Sequence, residues 1–271
     1  MEFRILFKAH ISGYKFFPMK WLITPSALLL FLLSVSLAGA AEVRAMTSNA
    51  LAESFREILP EFERTTQIKV LSAFGGDDIP KRLEDGEPAD VLIIWQRHLE
   101  TLVKQGLVIR GSEVHIVRSR IGIAVRAGTR KPDISSVDAL RRTLLNASSI
   151  AYSASISGVY VSTELLPKLG IAEQVKGKSK RIEGMRVAEA IARGDAEIGF
   201  QQISELLPIS GIEYVGPLPE EVQRVTVFSA GIAANAKNPA GARALIHFLT
   251  SSGARPIFAA RGLDRVGNGK Q

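Results

Sequence analysis

Beyond residue 41 the chain alternates short apolar runs of β character with amphipathic stretches of helical spacing. Residues 42–46 read as a strand. From Leu51 to Arg64, the apolar residues Leu51, Phe55, Ile58, Leu59 and Phe62 fall on one helical face, and Glu53, Arg56, Glu57, Glu61 and Glu63 lie elsewhere. A second strand spans 68–74, and a short helix at 78–83 ends near Gly86. Residues 89–94 form a third strand, apolar enough to be covered on both faces as parallel strands are, before a helix at 99–105 stopped by Gly106. This order predicts right-handed βαβ crossovers and a parallel sheet.

An apolar strand at 120–126 opens the next section and is followed by a helix at 137–145. A strand at 150–152 passes through the small-residue loop 153–158 into a helix at 159–169 that stops at Gly170. A helix at 187–193 and a strand at 198–200 precede a long apolar strand at 225–234, and helices at 240–250 and 254–260 close the chain. The two long strands, at 120 and 225, bracket a self-contained α/β block, the pattern of one lobe inserted into another. The expected organisation is lobe I at 41–120 and 230–265 and lobe II at 121–229, with hinge strands near 120–126 and 225–234. A cleft between such lobes is a preferred place for a ligand.

The N-terminus sets the compartment. Arg4, Lys8, Lys15 and Lys20 stand against the single acid Glu2, an apolar run follows from Trp21 to Leu37, and Ala38-Gly39-Ala40 supplies the A-x-A cleavage pattern. Residues 1–40 therefore read as a signal peptide and the mature protein as periplasmic. The run contains Pro25 and falls short of the roughly 20 apolar residues of a comfortable membrane span. A start at Met19 would give a leader of more ordinary length. Cleavage removes four basic residues and one acid, which takes the formal charge from +7 to +4. The basic residues are scattered among acids with no aromatic-lined basic stripe, so nucleic acid is not an expected partner. With no cysteine, disulfides, thiolate metal sites and lipid anchoring through Cys are excluded.

Candidate chemistry lies in four loops, each at the carboxyl end of a strand and feeding a helix, where open α/β sheets place their ligands. They hold Thr47, Ser48 and Asn49; Gly75, Gly76, Asp77 and Asp78; Ser153, Ser155, Ser157 and Gly158; and Gln201 and Gln202. Helix N-termini carry unpaired amides and partial positive charge, so they attract an anion without Lys or Arg. The same residue types cap helices with no ligand present. It is four such loops in register that point to one small-anion site. Asp77 and Asp78 either begin their helix or act as a base in a desolvated cleft. His98, His115 and His247 are isolated from one another, and no nucleotide-binding or nucleophile-elbow motif occurs, so neither a metal nor a cofactor is expected.

Several segments together carry a resemblance. They are Ala50-Leu51 with Glu61-Phe62-Glu63, the strand 68–74, Gly86-Glu87-Pro88-Ala89-Asp90-Val91, Ser157-Gly158-Val159-Tyr160, Ala196-Glu197-Ile198-Gly199-Phe200 and Ala259-Ala260-Arg261-Gly262-Leu263. Over nearly all of the mature sequence the chain resembles the molybdate-type periplasmic binding proteins of ABC importers. Gly-x-Pro-Ala-Asp before an apolar strand is the most specific of the shared segments. The resemblance implies an α/β protein of the type II periplasmic-binding-protein fold: two lobes, each a mixed sheet flanked by helices, joined by crossover strands. It also implies a monomer that binds a small anion and meets the membrane subunits of an importer. The family's hydroxyl loops fall at 47–50 and 75–78, its small residue before glycine at Ser157, and its closing tyrosine at Gln202. Two acids in the second loop oppose a dianionic oxyanion, so an organic acid fits better than molybdate. Extracytoplasmic aconitate isomerase resembles the same family. By that likeness an allylic proton shift is the alternative, with Asp77 or Asp78 as base and Ser155, Ser157, Arg186 and the glutamines holding carboxylates.

Overall fold

The computed structural model describes residues 41–266, so the leader at 1–40 lies outside the described residues. The first strand, β1 (Ala41–Ser48), pairs in parallel with β2 (Ile68–Gly75) on one side and with β3 (Val91–Trp95) on the other. Helix α1 (Ala52–Thr66) joins β1 to β2, and α2 (Ile79–Glu84) and α3 (Gln96–Lys104) flank β3 in sequence. The long strand β4 (Val114–Arg126) then leaves this half of the sheet for the next.

The second half begins with α4 (Val137–Asn146), β5 (Ile150–Ser153) and α5 (Ile156–Tyr160), which continues through a π-helical turn at Val161–Leu165. It goes on through β6 (Ser179–Ile182), α6 (Val187–Arg193), β7 (Ile198–Gln202), α7 (Ile203–Leu206) and β8 (Ile212–Pro217). The chain returns as β9 (Val225–Ile232), and α8 (Pro239–Thr250), α9 (Arg255–Ala260) and β10 (Leu263–Arg265) complete the first half.

The parallel pairing expected of the first three strands is found there, and the sheet as a whole is mixed, as the resemblance implies. Only β1 with β2 and β3, and β5 with β6 and β7, run parallel. The strands β9 and β4 run against their neighbours, giving the order β2-β1-β3-β9-β4-β7-β5-β6. Alternation of strand and helix predicts crossovers but does not reveal the direction of a strand that returns from another half. Residues Val114 to Arg120 of β4 pair with β9, and Ile121 to Arg126 pair with β7 and β8. Strand β9 pairs along its length with β3 and β4, and residues 218–224 join β8 to it.

The apolar run of β3 is explained by burial on both faces. Val91 and Ile93 join Phe55, Ile58, Phe62 and Leu245 in one core, while Leu92 and Ile94 join Met46, Leu99 and Leu102 in another, as period-two alternation requires. Phe55 and Phe62 are fully buried, each worth roughly 2 to 3 kcal/mol of apolar transfer. The other half has its own core around Ile121, Ile123, Leu144, Ile150 and Phe200.

Asp90 accounts for the Gly-x-Pro-Ala-Asp segment. It is 3% exposed, and its carboxylate accepts hydrogen bonds from the amides of Arg44 at 2.7 Å, Lys237 at 2.6 Å and Asn238 at 2.8 Å. One side chain thus fastens β1 to the turn that launches α8. Asn238 caps that helix by accepting from the amide of Gly241 at 2.8 Å.

Candidate functional site

Three of the four strand-end loops, and the glutamines of the fourth, meet around two adjoining cavities of about 530 and 40 Å³. Asn49, Gly76 and Asp77 come from the first half, and Ser155 and Glu205 from the second. Ser48, Gly75 and Gln202 border the smaller space, and Asp78, Ser153, Arg186 and Gln201 the larger. Thr47, Ser157 and Gly158 stand behind these walls. Thr47 is fully buried in β1, and its hydroxyl meets no partner among the described residues.

Local structure explains each loop. Ser48 accepts from the amide of Ala50 at 3.4 Å, the ordinary cap of the turn before α1. A side chain at Gly75 would come within 2.8 Å of Ile79 and Arg82, so the loop after β2 needs glycine to let α2 pack close. At Gly158, a β-carbon would lie 1.6 Å from the carbonyl oxygen of Ser153. That glycine is demanded by the contact between β5 and α5. The Ser153 hydroxyl sits 2.9 Å from that of Ser155 and 3.0 Å from that of Ser157, so Ser157, 1% exposed, supports a hydroxyl that lines the cleft. The amides of Ile156 and Ser157 begin α5, where intrahelical acceptors are missing.

The two aspartates separate in role. Asp78 accepts from the amide of Gly76 at 2.7 Å and pairs with Arg82 at 3.3 Å. Desolvation pushes its pKa up, but the Gly76 amide, its own backbone and Arg82 outweigh that and hold it below the ordinary value. A carboxylate so engaged is a loop fastener and a poor base. Asp77 points the other way: loss of water raises its pKa, His98 draws it down, and Asp78 raises it again, for a net rise.

Gln201 and Gln202 are each 3% exposed. The Gln201 side-chain oxygen accepts from the amide of Ala188 at 3.4 Å, and the Gln202 amide donates to Thr226 at 3.1 Å. Arg186, just before α6, donates to Glu53 of α1 at 2.9 Å, an ion pair that ties the two halves at the cleft. That hydrogen bond from Arg186 is the main reason the Glu53 pKa is lowered.

Glu205 escaped the sequence reading. It is 7% exposed in the single turn of α7 and borders both cavities. Burial pushes its pKa up to about 7, opposed by the charge of Arg186 and a hydrogen bond with Gln201. The available signal was a lone acid in the apolar stretch Ile203-Ser204-Glu205-Leu206-Leu207, since Glu is almost never fully buried without a partner or a task.

With this geometry, the chain belongs to the bacterial extracellular solute-binding protein family, whose model matches residues 43–264. It is 38% identical over 246 residues to the aconitate isomerase of a Pseudomonas species, covering 88% of this chain and 94% of that one. It is 27% identical over 236 residues to the molybdate-binding protein ModA of Azotobacter vinelandii, covering 83% and 90%. Among solved structures, the sulfate-binding protein SubI from Mycobacterium tuberculosis H37Rv matches with a TM-score of 0.68 at 19% identity, covering 84% of this chain and 88% of that one. The periplasmic molybdate-binding protein of Azotobacter vinelandii matches with a TM-score of 0.66 at 18% identity, covering 83% and 100%. The fold is that of the type II periplasmic binding proteins.

Proposed function

We propose that the protein works in the periplasm as a binder of a small organic polycarboxylate, held in the cleft between two lobes that close around it and presented to the membrane subunits of an importer. The observation that carries this reading is the composition of the walls. Neutral donors, namely the Ser153 and Ser155 hydroxyls, the Gln201 side chain and the amides at the start of α5, stand beside one guanidinium, that of Arg186. Asp77, Glu189 and Glu205 line the same space. Inorganic dianions gain nothing from carboxyls so close, whereas an organic acid can spread its carboxylates toward the donors and direct its carbon skeleton at the acids.

A second reading is favoured by Glu205 together with the 38% identity to an aconitate isomerase. A carboxyl with a pKa near 7 is matched to proton transfer at neutral pH. In that reading it takes a proton from the carbon beside the double bond, the electron pair shifts the double bond by one position, and the proton returns at the far end. Thermal-shift titration with molybdate, tungstate, sulfate, citrate and the two aconitates tests the binder. A true ligand at a hundredfold excess over its dissociation constant stabilises by about 2.7 kcal/mol. Stabilisation by molybdate or sulfate and by none of the carboxylates overturns the organic-acid reading. Interconversion of cis- and trans-aconitate by the pure protein separates enzyme from binder.

A further inference from the structure

A carboxyl group buried in the wall of an anion cleft is an electrostatic liability unless it has a task. Among the described residues, Glu205 forms no ion pair. Arg186, which supplies the positive charge at the cleft among the described residues, is engaged by Glu53 at 2.9 Å. Among the described residues, the turn at Gly262, whose β-carbon position lies 2.5 Å from Ile203, brings Arg261, and that guanidinium is paired with Glu57 at 2.9 Å. Strand β4 packs on this helix through Gly122, whose β-carbon position lies 2.9 Å from Ile203, and its Arg120 is turned to Glu220 and Asp264. The turn at Asn49–Leu51 is uncharged, α6 contributes Glu189, and the loop after β2 contributes Asp77 and Asp78, with His98 beside Asp77. An anion that docks here meets more negative than positive charge.

We propose that Glu205 is the specificity-determining residue of the cleft: as the neutral acid it donates a hydrogen bond to one carboxylate of an organic polyacid, and as the anion it closes the same space to ligands that bring two full charges and no proton. This rests on the polycarboxylate reading above and adds to it the group that selects. Binding then includes the uptake of a proton whenever the empty protein holds Glu205 ionised. The residue's burial, and the rise in its pKa to about 7 that follows, put this switch near neutrality. Sulfate, a dianion throughout this range, brings no proton and is rejected above it.

Calorimetric titration of the full mature protein and of Glu205→Gln with trans-aconitate and with sulfate, at several pH values from 5.5 to 8.5, tests the proposal. The wild type is expected to lose close to tenfold in affinity for aconitate per pH unit above about 7, as one linked proton requires. The Gln variant keeps its affinity nearly constant over the same range and gains measurable sulfate binding at pH 8.5. A pH profile unchanged by the substitution, or a folded variant that binds neither probe, overturns the role of Glu205. A measurement on the wild type alone guards against a variant that fails to fold. Binding heats at pH 8.5 in buffers of different ionisation enthalpy should report uptake of about one proton, and none overturns the proposal. Absence of aconitate binding by the wild type at every pH defeats the underlying polycarboxylate reading instead, a distinct outcome.

Discussion

Replacing Glu205 by Gln should change how stability depends on pH, in ligand-free protein and in a direction set by burial. The carboxyl is 7% exposed, and its native pKa is pushed up to about 7 from 4.5. Between those values the folded chain holds a proton that the unfolded chain has released. Stability therefore falls as pH rises through this window, is unaffected by this group below it, and carries the full cost above it. At 1.36 kcal/mol for each tenfold change in acid strength, the full cost is roughly 3 kcal/mol. The Gln variant has no such proton to lose. Urea unfolding of both proteins at intervals from pH 4.5 to 8.5 should show curves of ΔG against pH that diverge upward from pH 5, with the variant ahead by roughly 3 kcal/mol at pH 8. Comparing the two proteins cancels the titration of other groups, and a constant offset from the new amide's hydrogen bonds leaves the divergence intact. Parallel curves would refute the assignment, because a carboxyl that titrates alike in both states cannot be desolvated by folding.

Gly158→Ala should unfold the protein or cost more than about 3 kcal/mol, since its methyl group would lie 1.6 Å from the Ser153 carbonyl oxygen and the strand-to-helix contact must part; circular dichroism and the melting temperature decide it. Asp90→Ala leaves three amides without their acceptor and should cost roughly 3 kcal/mol or more in chemical denaturation, although the residue lies outside the cleft. Tyr160→Phe removes a buried hydrogen bond of 2.7 Å to the Val222 carbonyl and should cost about 1 kcal/mol with no effect on ligand affinity, measured by paired melting and binding curves.

Alternating periodicity carried most of the fold to the surface of the sequence. The strand 91–95 and the helix at 52–66 are strongly patterned because each buries a continuous apolar surface. The strands that escaped notice are those whose residues are polar or only half covered. Ser179–Ile182 presents Lys and Arg outward, and Ile212–Pro217 is partly exposed along its length. Strand β4 begins at Val114, earlier than the apolar run suggests, because its first residues lie against β9 with exposed side chains among buried ones. The parallel direction of the first three strands followed from their helical crossovers, whereas the direction of β4 and β9 was illegible, since a residue's burial does not depend on which way its neighbour runs. At the site, glycines and hydroxyls marked the loops correctly as strand-end turns. What could not be read was which atom of each loop faces the cleft. Asp77 and Asp78 are adjacent in sequence and both border the larger cavity, yet Asp78 is fastened to Gly76 and Arg82 while Asp77 also reaches the smaller one. Glu205 is marked locally only by the apolar residues around it, because its burial is produced by strands and helices far away in the chain.

The bonds made by Asp90 have a bearing on how such proteins are sorted from their sequences. The most recognisable stretch of this chain works as a staple of the framework and borders neither cavity of the cleft. A search pattern built on it would collect chains that are assembled alike while remaining blind to their cargo. Sorting by cargo would have to inspect a position such as 205, which no short signature announces.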